Sequence, residues 1–295
     1  MSPTRGSRTA EFMALFRALE SRRSARLFED PFAYGFLGAG LRAVVRAASM
    51  ALLGGAVPAF IDRRWPGARS SGVARTRLID DAMIAALRHG VRQVVLLGAG
   101  FDARGYRLRG VERVRLFEVD HPATQTVKRA RLQAALGHEP AHVRFVPVDF
   151  DRERLEDALA AAELDLATPT FFVWEGVTNY LTAAAVDGTL RVVARAAAGS
   201  RLVFTYVERR VFDADGGAAA VAGTTRLRAL LRRAGEPWTF GLDPATLADY
   251  LGARGLQLIE DVGAAEYRAR YWGAAARAMH GYEFYHVAVA DVRAG

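Results

Sequence analysis

Acids and glycines stand where the apolar runs of this chain end. "VRQVVLLG" (91–98) leads into Gly98 and Gly100, "RVRLFEVD" (113–120) ends on Glu118 and Asp120, "VRFVPVD" (143–149) ends on Asp149 followed by Phe150, and "TFFVWEG" (170–176) ends on Glu175 and Gly176. A Gly-x-Gly after a buried run marks a tight turn at which a ligand can approach the backbone, because glycine takes angles that a side chain forbids. Asp120 follows Gly100 by twenty residues, the spacing at which a carboxylate reaches ribose hydroxyls. Acids at three successive lips suit a ligand rich in hydroxyls and amines, and they would repel a pyrophosphate. The dinucleotide fingerprint also wants a third glycine three residues after the second, where this chain has Ala103. S-adenosylmethionine offers a ribose, an adenine amine, an amino group, a carboxylate and a sulfonium, and this edge has a partner for each.

These residues can act together only if the runs lie side by side. After Gly90, five β-like runs, the fifth being "RLVFTYV" (201–207), alternate with helical patterns. That alternation predicts a parallel sheet with helices on both faces, and ligands of such sheets bind beyond the carboxyl ends of the strands, where the strand order reverses. Two further strands, from Leu256 and from Tyr282, bring the expected number to seven. Before Gly90 the pattern is helical, with Phe12, Leu15, Phe16 and Leu19 on one face. Residues 208–240 read as an insertion: the loose "DADGGAAAVAG" (213–223), then a short helix in "TTRLRALLRRAG" that stops at Gly235. Asp243 and Pro244 open one more helix as N-cap and first helical residue. The expected organisation is a single α/β structural domain. Residues 1–90 form a helical extension and lid, and residues 91–295 form a Rossmann-like core that carries the insertion.

Composition excludes several chemistries. The 295 residues contain no cysteine, which removes disulfides, thiolate catalysis and cysteine-ligated zinc. The net charge of +8 is carried by arginines spread through every segment, with Lys128 the only lysine, and no basic block or basic-aromatic module points to nucleic acid. The apolar stretch "AASMALLGGAVPAFI" from Ala47 is too short to span a bilayer, and the N-terminal stretch has no signal-like apolar core, so the expected location is the cytoplasm with no membrane partner. His121, next to Asp120, reads as a packing residue. His138, His142, His280 and His286 show no metal-ligand spacing, and no metal is expected.

Five ordered motifs carry a family resemblance. "ARTRLIDD" (74–81), "LGAGFDARGYRL" (97–108), "FEVDHPATQ" (117–125), "VPVDF" (146–150) and "PTFFVWEGVTNYLT" (169–182) resemble the successive motifs of the leucine carboxyl methyltransferase family. "FRALESRRSARLFEDPFA" near the start is similar to its bacterial branch, which includes small-molecule and polyketide O-methyltransferases. The resemblance implies a class I methyltransferase fold, a parallel sheet with an antiparallel final strand, that uses S-adenosylmethionine. It also implies that Arg75 pairs with the cofactor carboxylate, that Gly98 and Gly100 form the turn beside the cofactor, and that Asp120 holds the ribose. Asp149 and Phe150 then lie at the adenine, and Glu175 is the acidic contact after the fourth strand. Ala103 and Phe150 depart from a common threonine and a common leucine of that pattern. Plainer readings remain: a surface charge for Arg75, a helix N-cap for Asp149, a backbone acceptor for Glu175.

The implied reaction is an in-line displacement at the sulfonium methyl, to which a protein contributes alignment and exclusion of water. A carboxylate acceptor is already ionised at neutral pH, whereas an alcohol or phenol needs a base. Tyr206, in "FTYVE" at the tip of the fifth strand, and Glu208 are the candidates for holding the acceptor oxygen. The favoured expectation is an O-methyltransferase acting on a small-molecule carboxylate. A hydroxyl or phenol acceptor, an NAD-dependent oxidoreductase, a nucleic-acid methyltransferase and a cofactor-binding protein without transfer remain as alternatives.

Overall fold

A computed structural model of the chain describes residues 7–50, 55–150, 152–212, 224–233 and 235–293. All seven expected strands form: β1 (Gln93–Leu97), β2 (Arg115–Asp120), β3 (Val143–Pro147), β4 (Thr170–Trp174), β5 (Arg201–Val207), β6 (Leu256–Gly263) and β7 (Tyr285–Val292). They make one sheet in the order β3-β2-β1-β4-β5-β7-β6. β1 to β5 pair in parallel, and β7 runs antiparallel to both β5 and β6. The order reverses between β1 and β4, so the ligand crevice of such a sheet opens beyond the ends of those two strands.

Alternation along β1 shows why helices cover both faces. Val94 and Leu96 pack with Ala74, Ile79 and Met83 of one helix layer, while Val95 and Leu97 pack with Leu159, Leu190 and Leu251 of the other. The first layer is α4 (Ala68–Arg88) together with α11 (Ala264–Trp272); the second holds α7 (Leu155–Ala161), α8 (Ala183–Ala194) and α10 (Leu247–Gly252). A short α5 (Arg104–Arg107) follows the glycine turn, and α6 (Pro122–Leu136) follows β2. Before the sheet come α1 (Arg8–Glu20), α2 (Ala39–Ala47) and α3 (Ala56–Arg64). Leu15, Phe16, Leu19 and Phe36 from this region pack against Phe101 and Ala103, so the preface lies directly on the glycine turn.

In the expected insertion, "DADGGAAAVAG" lies outside the described residues. The helix after it is α9 (Thr224–Arg233), and Gly235 beyond it is left-handed at φ +78°. Asp243 caps as expected, its side chain accepting from the Ala245 amide at 3.0 Å, but the first turn it starts, Pro244–Thr246, is 3-10 and passes into α10 only at Leu247. Among the described residues no helix is long and apolar enough to cross a membrane.

Candidate active site

The glycine turn is closed from both sides. Gly98 and Gly100 have φ of +66° and +46°, and a Cβ on Gly98 would stand 2.3 Å from Val177 Cγ2, in the loop after β4. A Cβ on Gly100 would stand 3.2 Å from the Ala10 Cβ of α1. Conformation therefore favours glycine at both positions, and at Gly98 the close approach of Val177 adds to it. The Asp120 carboxylate accepts from the Gly100 amide and, at 2.6 Å, from the His121 amide, so the end of β2 is pinned to the turn after β1. Burial pushes the Asp120 pKa up, and the two backbone donors act against that rise.

Beneath the turn runs a buried chain of charges. Arg75 of α4 donates to Glu175 at 2.8 Å, and Glu175 accepts from Arg104 at 2.7 Å. Arg104 also meets Asp102 at 2.6 Å and Asp80 at 2.7 Å; Asp80 meets Arg107 at 2.7 Å; Asp30 meets Arg17 at 2.8 Å and Arg107 at 3.7 Å. Arg17 then donates to the Phe101 carbonyl, which returns the chain to the glycine turn. Four guanidiniums (Arg17, Arg75, Arg104, Arg107) thus meet four carboxylates (Asp30, Asp80, Asp102, Glu175), which is how so many charges can be buried at once. Burial works against the charge of Asp102, but Arg104, then Arg17 and Lys128, outweigh it and hold its pKa down at about 2. Glu175 is likewise lowered by Arg104 and Arg75 against the cost of its burial. The Arg75 guanidinium lies 4.6 Å from the centre of the Tyr285 ring; desolvation works against its charge, but Glu175 together with Tyr285 and Tyr267 outweighs it and the pKa is raised.

A cavity of about 1150 Å³ opens above these elements, at the carboxyl ends of β1 and β4. Arg75, Gly98, Gly100 and Asp120 line it, and so do Asp149, Phe150 and Glu175. The seven residues expected at the cofactor therefore border a single space. Arg75 is buried rather than a surface charge. Asp149 does not cap α7, which starts after Arg154; its amide donates to Glu153 at 2.7 Å. Glu175 serves two arginines rather than backbone amides.

The acceptor-side candidates require a correction. Tyr206 is fully buried in the core layer with Phe204 and Leu202, and its hydroxyl donates to Asp261 at 2.6 Å. Glu208 pairs with Arg210 and lies 3.3 Å from His286 Nε2. Neither borders the cavity. Successive side chains of a strand face opposite ways, and it is Thr205 whose hydroxyl receives the Gly176 amide at 2.7 Å beside the site. Tyr180, unforeseen although it lies within the quoted "EGVTNYLT", does line the cavity. Burial pushes its pKa up to about 12, so it presents a protonated hydroxyl at neutral pH. Trp65, Trp238 and Tyr282, with Leu227, Leu230 and Leu231 of α9, give this half of the cavity a large apolar surface, beside which Arg8, Arg233 and Glu236 also line it.

His121 borders the cavity as the N-cap of α6, its Nδ1 accepting from the Ala123 amide at 3.2 Å, so it is a cap rather than a packing residue. His142 contacts the Gly105 carbonyl at 2.9 Å. Among the described residues no cluster of His, Cys, Asp or Glu could hold a metal ion.

The family described as leucine carboxyl methyltransferase matches residues 10–194. A Frankia alni protein named "Putative S-adenosyl-L-methionine-dependent methyltransferase" is 38% identical over 262 residues, covering 85% of this chain and 88% of that one. A Streptomyces coelicolor protein of the same description is 40% identical over 211 residues, 70% of each chain. Among solved structures, a DUF574 family protein from Streptomyces avermitilis superposes with a TM-score of 0.60 at 16% identity, covering 98% of this chain and 99% of its own. A "putative methyltransferase" from Thermobifida fusca gives 0.61 at 16% identity, covering 95% and 94%. At that identity the two structures speak for the fold.

Proposed function

The chain belongs to the leucine carboxyl methyltransferase family and is an S-adenosylmethionine-dependent methyltransferase, and from that premise we propose that it methylates an oxygen of a small apolar molecule, with a carboxylate as the favoured acceptor. The observation that carries the cofactor assignment is the convergence of Arg75, Asp120 and Glu175 on the cavity beside a turn of two left-handed glycines. Asp120 accepts from the ribose hydroxyls, Arg75 offers its remaining donors to the cofactor carboxylate, and Asp149 and Phe150 flank the adenine. Bound there, S-adenosylmethionine supplies an activated methyl group. The chain's own part is then to orient and to exclude water: the ion network fixes Arg75, and the apolar half, with Trp65, Trp238 and Tyr282, holds an acceptor body. Tyr180 donates to the acceptor oxygen. The single imidazole bordering the cavity among the described residues is His121, whose Nδ1 is engaged as a helix cap, and this favours an acceptor that needs no base.

Two measurements test the reading. S-adenosylhomocysteine should raise the melting temperature and NAD should leave it unchanged, since stabilisation follows binding to the native state. A screen with isotope-labelled methyl donor against small acids, phenols and polyketide-like compounds should label the acids, and mild alkali should release the label from a methyl ester. An alkali-stable product whose rate still climbs past about pH 7 would replace the carboxylate by a hydroxyl or phenol.

A further inference from the structure

One carboxylate joins the two segments that close the cavity from opposite ends of the chain. Glu236 accepts from the Ser7 hydroxyl at 3.1 Å, from the Arg8 amide at 3.0 Å, from the Thr9 amide at 3.3 Å and from the Thr9 hydroxyl. These donors are the N-cap and first turn of α1, where a helix leaves amides unpaired and its dipole favours an anion. Ser7, Thr9 and Glu236 all line the cavity.

What α1 covers gives this contact its meaning. Ala10, one residue past the fastened turn, is the nearest neighbour a Cβ on Gly100 would meet, and Met13 Sδ lies 3.5 Å from Arg75 Nη2. The first two turns of α1 therefore lie over the glycine turn and Arg75. On the other side, the Glu236 amide donates to the Leu231 carbonyl at 2.9 Å, and, three residues on, the same segment is tied down by Thr239, which donates its amide to the Asn179 carbonyl and its hydroxyl to the Leu181 carbonyl, both at 2.8 Å. Tyr180, between those two residues, has its hydroxyl 3.5 Å from Thr9 Oγ1. The acceptor-side segment and the helix over the cofactor seat are thus tied at one point.

We infer that Glu236 is a positioning residue that fastens α1 over the cofactor turn, so that release of the cofactor requires this carboxylate to let go of the α1 amides. The inference rests on the cofactor seat assigned above. A carboxylate that merely capped a helix would add to stability and leave ligand release alone; one that fastens a cover slows release. Amide hydrogen exchange at Arg8 and Thr9, and stopped-flow dissociation of S-adenosylhomocysteine, separate these roles in the full chain.

Glu236→Ala should speed exchange at those two amides and raise the dissociation rate about tenfold, the scale of one lost charge-assisted hydrogen bond. Glu236→Gln, which keeps an acceptor oxygen but no charge, should fall between, and Ser7→Ala combined with Thr9→Val should shift the rate in the same direction by less. Faster exchange with dissociation within about twofold of wild type reduces Glu236 to a helix cap and overturns the inference, as does unchanged exchange. Wild-type protein that binds no S-adenosylhomocysteine overturns the cofactor assignment and this inference with it, whereas binding with unaltered release in every variant overturns this inference alone.

Discussion

At one end of the cavity Glu175 is gripped by two guanidiniums at 2.7 and 2.8 Å, while at the other the Tyr180 hydroxyl lies 3.5 Å from Thr9 Oγ1, a longer contact between neutral groups. The first end is built from the tips of parallel strands and a neutral network of four arginines and four acids. The second is built from the start of α1, one face of α9 and the irregular residues 235–240. A fixed ligand can be met by groups whose positions are settled by the sheet before it arrives. A variable acceptor is met by apolar surface on segments that can be rebuilt without disturbing the sheet. If this contrast is right, substitutions at the first end should cost stability and cofactor affinity together, and those of the apolar side chains at the second, as distinct from Glu236 and its contacts with α1, should cost neither by much.

The largest effect should come from Arg104, which is fully buried and faces Asp80, Asp102 and Glu175. Arg104→Met leaves three carboxylates around an apolar side chain, and we expect a loss of about 3 to 5 kcal/mol in denaturant unfolding. A loss below about 1 kcal/mol would mean that water or rearrangement serves those carboxylates, and the network would not be what fixes Arg75.

Next in size is Asp120. Asp120→Ala should weaken S-adenosylhomocysteine binding by about 2 to 4 kcal/mol in calorimetry, through lost charge-assisted hydrogen bonds, while circular dichroism stays native. The Gly100 and His121 amides that it receives sit at the cavity edge, so part of that cost is a loosened turn. Unchanged affinity would move the ribose contact elsewhere.

How much of each end could be read in the sequence follows from the same contrast. Every strand end carrying Gly98, Asp120, Asp149 or Glu175 is punctuated by residue type, and the motifs already contain Asp80, Asp102 and Arg104, although nothing in their spacing says that these three meet. The acceptor side is harder. β5 is "RLVFTYV", buried on both faces from Leu202 to Val207, so no alternation of polar and apolar residues reveals which side chains face the cavity. That ambiguity is why Tyr206 reads as an acceptor-side residue although its hydroxyl turns to Asp261; neither it nor Thr205, which holds the Gly176 amide, lines the cavity. Glu236 is less legible still, since it acts on backbone amides more than two hundred residues away.

Two tyrosines make the misreading testable. Tyr206→Phe removes a buried hydroxyl bonded to Asp261 and should cost about 1 to 2 kcal/mol of stability with methyl transfer unchanged. Tyr180→Phe should do the reverse, leaving stability within about 0.5 kcal/mol and lowering transfer to whichever acceptor the screen identifies. Should Tyr206→Phe abolish transfer in a stable protein, the face assignment of β5 would be wrong.

The smallest effect belongs to the cluster that Tyr206 joins. His286 stacks on the Tyr206 ring at 5.0 Å, with Nδ1 3.2 Å from Asp261 and Nε2 3.3 Å from Glu208, which also pairs with Arg210. Burial alone would lower its pKa, but Asp261 and then Glu208 outweigh it and raise the pKa above the usual histidine value. A group whose folded pKa exceeds its unfolded one binds protons more tightly when folded. Its contribution to stability is therefore complete below the unfolded value of about 6.5 and fades as pH rises through the raised one. The urea midpoint of the wild type should accordingly decline from about pH 6.5 upward, and His286→Gln should flatten that decline while leaving S-adenosylhomocysteine affinity alone. Tyr206, Glu208, Asp261 and His286 do not line the cavity, so a change in cofactor affinity with His286→Gln would mean that this cluster and the cofactor seat are coupled, and the division between a rigid cofactor end and its surroundings would have to be redrawn.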